Sequence, residues 1–197
     1  NGVSTPTDGD WYLRSTLIPT PTKPTTPIYR PGTSNYVSAQ TANAEQGFLA
    51  LGTLHERMNE QQVVSTDKQT WARIYGNTES NNGDSRFNYN QHVRAAQVGQ
   101  DLYNKTTDNG TNVHSGVMFD YSYSTVDFAD RVREDALLDN TTGTMNGTSY
   151  GLGGYYTAIN GDDSYLDVVG MVSKLENKYK DSYGMKSTQD GYRLGLS

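Results

Sequence analysis

The sequence contains no cysteine. That excludes a disulfide framework and thiolate metal sites, and it suits a bacterial surface protein as well as a cytosolic one. The chain also has no basic cluster. Its 16 Lys and Arg are scattered against 22 Asp and Glu, for a net charge of −6. No nucleic-acid partner is expected, because phosphate binding needs a concentrated cationic face. No apolar run reaches the ~18 residues that a transmembrane helix requires. No secretory signal starts at Asn1, so an exported protein with this sequence is expected to be an internal or C-terminal piece of a longer precursor. Phenylalanine is scarce, with 4 residues, whereas Tyr numbers 15 and Gly 20. Such a balance suggests a β-protein with many turns and amphipathic aromatic positions. The mean hydropathy of −0.76 is low for a membrane protein. It is compatible with a barrel, whose strands are apolar on alternate residues only.

Along the chain, Trp11-Tyr12-Leu13-Arg14 reads as a short strand that cannot stand alone. Asp8-Gly9-Asp10 could begin a calcium loop. It lacks the further ligands at fixed spacing and reads as a tight turn. All six prolines fall at or before residue 31, so residues 16–35 read as an extended spacer. Tyr36 to Gln62 is the one long helical segment. Ala44, Phe48, Leu51, Leu54 and Met58 recur at spacings of three and four, and Ser34 or Asn35 can cap its start. Its 27 residues would span ~40 Å at ~1.5 Å each. Its polar residues, such as Gln40, Asn43, Glu45, Gln46 and His55, forbid direct exposure to lipid.

After Gln62 the period becomes two. Val117, Phe119, Tyr121 and Tyr123 alternate with Gly116, Asp120, Ser122 and Ser124; Tyr150, Leu152 and Tyr156 alternate with Ser149, Gly151, Gly153 and Thr157. About six strands are expected, each near ~10 residues. Segments 104–112 and 160–163 read as short turns, and 76–86, 127–145 and 178–190 as long polar loops. Trp71, Tyr75, Tyr103, Tyr123 and Tyr165 are placed for an aromatic girdle. The pattern predicts an incomplete antiparallel up-and-down β-barrel, preceded by a helix in its lumen. A soluble β-domain with a packing helix shares much of the same pattern.

Four ordered segments carry a resemblance: Trp11-Tyr12-Leu13-Arg14-Ser15, Tyr29-Arg30-Pro31, LGTLHERMNEQ from Leu51 to Gln61, and Trp71-Ala72-Arg73-Ile74-Tyr75-Gly76. With Leu152-Gly153-Gly154-Tyr155 and Tyr165-Leu166-Asp167, the chain resembles the passenger–translocator junction of bacterial autotransporters, the type V secretion proteins. The resemblance implies that residues 1–15 end the secreted passenger, 16–35 form the linker, 36–64 the pore-threading helix and 70–197 the first half of an outer-membrane barrel. It implies export and surface anchoring of the chain's own N-terminal passenger, a surface adhesin if the passenger binds a target. The implied partners are outer-membrane lipid, that passenger, the barrel-assembly machinery and periplasmic chaperones. One branch of the family cleaves itself at an Asn-Asn pair inside the helix. Here the helix has only isolated Asn43 and Asn59, and the pair Asn81-Asn82 lies elsewhere, so no self-cleavage by that route is expected.

No catalytic, metal or cofactor residue is expected, and the chain is read as a non-enzyme. His55, His92 and His114 have no metal-ligand spacing. Asp101, Asp120 and Asp167 fall on predicted lumen faces. They either pair with Arg57 as a set or simply make the lumen polar.

Overall fold

A computed structural model describes residues 26–57, 68–82, 86–162 and 164–197. The expectations for residues 1–15, including the Asp8-Gly9-Asp10 turn, lie outside the described residues, as does Met58. Helix α1 runs Pro31–Leu51 and a short α2 runs Leu54–Arg57. Six strands follow: β1 Thr70–Asn81, β2 Phe87–Thr106, β3 Asn112–Asp130, β4 Thr141–Ile159, β5 Tyr165–Asp181 and β6 Lys186–Leu196. They pair antiparallel in the order β1-β2-β3-β4-β5-β6, a curved meander with β1 and β6 as its edges. This is the expected up-and-down plan, with the sheet not closed.

The helix starts at Pro31, not Tyr36. Proline at the first helical position needs no N–H partner and already has the helical φ. Neither Ser34 nor Asn35 is the cap; that position is Arg30, without a side-chain cap bond. The helix also breaks earlier than its pattern suggested. Gly52 adopts φ 61 and ψ 170, a region open essentially to glycine alone. Thr53 and Glu56 then form a capping box: the Thr53 N–H donates to Glu56 Oε2 at 2.7 Å, and the Glu56 N–H to Thr53 Oγ1 at 3.4 Å.

The strands are longer than the ~10 residues a tilted membrane crossing needs, reaching 20 residues in β2. Of the residues expected as loops, 76–81, 127–130, 141–145, 178–181 and 186–190 are strand, whereas 131–140 is the connection between β3 and β4, with a short 3-10 turn at Arg131–Ala136. The connection between β5 and β6, for example, turns through Tyr183-Gly184, with Gly184 at φ 83. Polar residues stand on both faces there, so the two-residue alternation fades although the ladder continues.

The outer face shows where the sheet is apolar. Ala72, Val98, Phe119, Leu152, Val172 and Leu194 form one continuous cross-strand row. Ile74, Ala96, Tyr121, Tyr150, Lys174 and Tyr192 form the row above it. Ile74 is 90% exposed, and the other large side chains of these rows are also exposed. From Tyr150 to Ala158 along β4, eight steps of ~3.3 Å tilted by ~40° make a band ~20 Å tall. That is close to the ~25 Å apolar belt of a transmembrane barrel. Of the expected girdle, Tyr103 and Tyr123 face outward, whereas Tyr165, exposed at the start of β5, has the concave parity of Asp167 and Val169 and meets His55 edge-on. Trp71 and Tyr75 do not: they point to the concave face, Trp71 being only 3% exposed. Two-residue alternation puts Ile74 outward and forces both neighbouring aromatics inward.

Candidate functional site

The concave face of the sheet, with α1 lying in it, is the candidate site. At ~1.5 Å per residue, the 21 residues of α1 extend ~31 Å. The buried face of α1 is Ser34, Asn35, Ser38, Ala39, Ala42, Gln46 and Ala50, small or polar residues at spacings of three and four. This is not the stripe expected from apolar periodicity. Leu51 and Leu54 are buried, but Ala44 is exposed and Phe48 is 72% exposed. The reason is the nature of the surface: a polar lumen selects small and hydrogen-bonding residues on the helix it holds.

The N-terminal half of α1 lies above the level of the outer apolar band. Ala39 and Ala42 pack there with Tyr89, Val126, Phe128, Met145 and Tyr179. At the rim, Ser34 Oγ donates to Thr142 Oγ1 at 2.6 Å. Tyr29, just before α1, meets the Arg86 guanidinium 4.2 Å from its ring centroid. Arg86 in turn donates two hydrogen bonds to Asp130, at 3.0 and 2.9 Å. These bonds raise the pKa of the guanidinium above its ordinary value. The three side chains join the chain entering α1 to the β1–β2 connection and the end of β3.

Below this cluster the inward rows turn polar, and the sheet reaches the helix through its backbone carbonyls. Gln91 Nε2 donates to Ala42 O at 3.0 Å, and Arg193 to Asn43 O at 2.7 Å. Gln46 Nε2 donates to Ser122 Oγ at 2.8 Å. Gly47 makes room for Arg193, since a Cβ there would lie 2.7 Å from its Cδ. The break at Gly52 leaves late carbonyls of α1 without helical partners, because the Thr53 N–H is committed to Glu56. Arg73 fills the gap, donating to Leu49 O at 3.1 Å and Ala50 O at 2.9 Å. Gln97 Nε2 adds a bond to Ala50 O at 2.9 Å. A cation on the C-terminal carbonyls also complements the helix dipole.

One row lower the sheet alternates large and small: Trp71, Gly99, Met118, Gly153, Met171 and Gly195 sit side by side across the six strands. Each glycine leaves space for a neighbour. A Cβ on Gly99 would collide with the Trp71 indole, and one on Gly153 would lie 2.8 Å from Met118 Cε. On Gly195 it would lie 3.1 Å from Leu51 Cδ1, so that glycine receives the helix end. Ala50, Leu51, Trp71, Met118, Tyr155, Val169 and Met171 close into an apolar cluster at this level.

The base is charged. Arg57, buried, pairs with Asp167, whose other oxygen accepts from Thr157 at 2.6 Å. Of the three lumen aspartates, Asp167 alone has Arg57 as its ion-pair partner. Asp101 accepts from Tyr155 and lies 3.2 Å from His114 Nδ1. Tyr155 also accepts from the Trp71 indole at 3.1 Å. Asp120 sits higher and accepts from Tyr75 at 2.6 Å. The histidines are dispersed: His55 is exposed and edge-on to Tyr165, His92 is exposed beside Thr78, and His114 is buried. Among the described residues, no group of three or more His, Cys, Asp or Glu side chains could hold a metal ion. This arrangement is chemically suited to gripping a helix. It places donors on carbonyls and apolar layers above and below a polar belt. Sequence reading missed Gln91, Gln97, Arg73 and Arg193. Their signal was their position on the inward parity of strands already recognised.

Residues 70–197 match the family model described as the autotransporter beta-domain. The chain is 28% identical over 215 residues to the adhesin BmaC autotransporter of Brucella suis biovar 1, covering 98% of this chain and 6% of that protein. It is 30% identical over 146 residues to the serine protease sat autotransporter of Escherichia coli O6:H1. The same identity and length hold for the serine protease pet autotransporter of Escherichia coli O44:H18. Each of the two E. coli alignments covers 74% of this chain and 10% of the relative. The chain thus spans a small part of the relatives it matches.

Proposed function

Because the chain belongs to the autotransporter β-domain family, we propose that α1 threads and occludes the lumen of an outer-membrane translocator and tethers the passenger at the cell surface. The domain is a translocator of the outer membrane. The finer roles of its parts are our reading: residues 1–15 end the passenger, 16–35 link it to the pore, and 36–64 belong to the pore-threading segment. The N-terminal end of α1, at the rim with Tyr29 and Arg86, faces the cell exterior. Assembly draws on the barrel-assembly machinery and periplasmic chaperones.

The observation that carries this reading is the set of donors from the sheet to helix carbonyls. Arg73, Gln91, Gln97 and Arg193, from three different strands, all end on α1 backbone oxygens. Two of these donors need a glycine beside them, Gly47 for Arg193 and Gly52 for Arg73, as suits a lumen that first passes other chain segments and then stops on this one. The polar side chains of a helix at membrane depth are tolerated where protein or a polar cavity surrounds them. The test is planar-bilayer recording of the intact protein with and without residues 31–57, folding being verified by heat-modifiable mobility. Deletion is expected to open a larger, steady conductance. A folded deletion variant with unchanged conductance overturns the plug.

A further inference from the structure

The outer face above the apolar band carries an uneven charge. On β5, Lys174, Lys178 and Lys180 point outward, and on β6 Lys186 does the same. Lys180 stands directly opposite Lys186 in the strand register. Like charges directly opposite each other in a sheet repel. Glu176 and Asp190 also face outward, opposite each other one row above Lys174, and Glu176 pairs with Lys178 at 2.8 Å, so the uncompensated charge is concentrated at Lys180 and Lys186. Among the described residues, no ion pair joins Lys180 or Lys186. Lys174 lies at the top of the band between Tyr150 and Tyr192, where amphipathic side chains mark a membrane interface.

We propose that this β5–β6 patch binds the phosphates of a glycolipid whose headgroup is a phosphorylated oligosaccharide. The patch continues the lipid-facing band upward, so the nearest molecules to it are lipid headgroups. Its height selects among them. Lys178 is four residues beyond Lys174 and Lys180 six, which places them ~10 and ~15 Å above the band at ~3.3 Å per residue and a ~40° tilt. A phospholipid headgroup layer is only ~5–8 Å deep on each side. Phosphates carried on a sugar headgroup reach the Lys180–Lys186 pair. An anion between these two ammonium groups turns their repulsion into two charge-assisted hydrogen bonds.

The leaflet assignment rests on the orientation proposed above; the chemistry does not. Symmetric vesicles therefore test it without reference to α1 or to conductance. The intact protein is reconstituted into phosphatidylcholine vesicles containing rough-type lipopolysaccharide, the same glycolipid after dephosphorylation, or no glycolipid with inorganic phosphate added. Thermal unfolding is read by heat-modifiable mobility. The wild type is expected to unfold at higher temperature only with the phosphorylated glycolipid. The Lys180→Gln/Lys186→Gln variant is expected to lose that shift and, without glycolipid, to be at least as stable as wild type because the repulsion is gone. Its co-purifying lipopolysaccharide should fall at least fivefold. Arg94→Gln, an outward cation on β2 away from the patch, should keep the shift. Lys186→Gln alone serves if the double variant does not fold. No shift in wild type, a shift retained by the lysine variant, or the same shift from inorganic phosphate overturns the proposal.

Discussion

Replacing Gly52 by alanine should loosen the plug while leaving the barrel folded. Two costs add. Gly52 holds φ 61 with ψ 170, a region that costs a non-glycine residue ~1–3 kcal/mol. Its new Cβ would also fall on the Arg73 guanidinium, displacing the donor to Leu49 O and Ala50 O. Hydrogen bonds from a charged group contribute ~1.5–3 kcal/mol each. Gln97 still reaches Ala50 O, so only part of that loss is realised. The sum is ~4 kcal/mol against docking of the helix end, or ~10³-fold more of the loosened state at ~1.4 kcal/mol per tenfold. Gly32→Ala is the control. There the nearest atom to a new Cβ is Tyr36 Cε2 at 3.8 Å, and φ is not positive. It should stabilise α1 by up to ~1 kcal/mol. Trypsin cleavage near Arg57 and bilayer conductance of the intact protein report the loosened state. A folded Gly52→Ala protein with wild-type cleavage and conductance would refute the reasoning, since it would show that neither the backbone turn nor the Arg73 cap holds the helix.

Asp167→Asn strands the buried Arg57 without its counter-charge, and losses of this kind run to ~3–5 kcal/mol; a lower unfolding temperature than for Asp181→Asn, at the rim, is the expected result. Phe119→Arg puts a cation in the middle of the outer apolar row, costing ~2–4 kcal/mol at bilayer depth. The heat-modifiable folded fraction in outer membranes should drop, whereas Thr125→Arg, above the band, should leave it unchanged. Passenger release should not occur through a cut within residues 36–62, because the Asn81-Asn82 pair lies at the end of β1 and not in the helix. Mass spectrometry of any released passenger, in a strain without other surface proteases, checks this, and a terminus inside that interval would contradict it.

The meander was legible because one face of each strand is apolar and the other polar over the band. Val117, Phe119 and Tyr121 against Asp120 and Ser122 made β3 plain. Above the band the same strands are wet outside, and residues such as Lys178 and Thr188 read as loop. The aromatic character of Trp71 and Tyr75 pointed to a girdle, although the parity set by Ile74 contradicted it. The helix was found by length, but its buried face was not. Ser38, Ala42 and Gln46 carry no apolar signal, since the surface they meet is itself polar. The break at Gly52 was written in Gly52-Thr53-Leu54-His55-Glu56, a glycine stop followed by a capping box, within a segment read as continuous. Lumen placement offered Asp101, Asp120 and Asp167 as a set for Arg57, and of the three only Asp167 makes the pair. That Asp101 and Asp120 would turn instead to His114, Tyr155 and Tyr75 depends on strand register, which one strand's sequence does not reveal.

Tyr29, Arg86 and Asp130 at the rim have a mechanical consequence. On the function proposed above, a passenger dragged by flow at the cell surface would pull on the chain just ahead of Tyr29. Tension meets the ring–guanidinium contact first and passes through Arg86 into β2 and through Asp130 into β3. Only what remains runs on into Ser34 and down the helix. The load is thus shared sideways into the barrel wall before it reaches the donors around Asn43 and Ala50. If α1 seals and tethers as proposed, the rim would act as a strain relief, and the seal below it would stay shut while the tether is stretched.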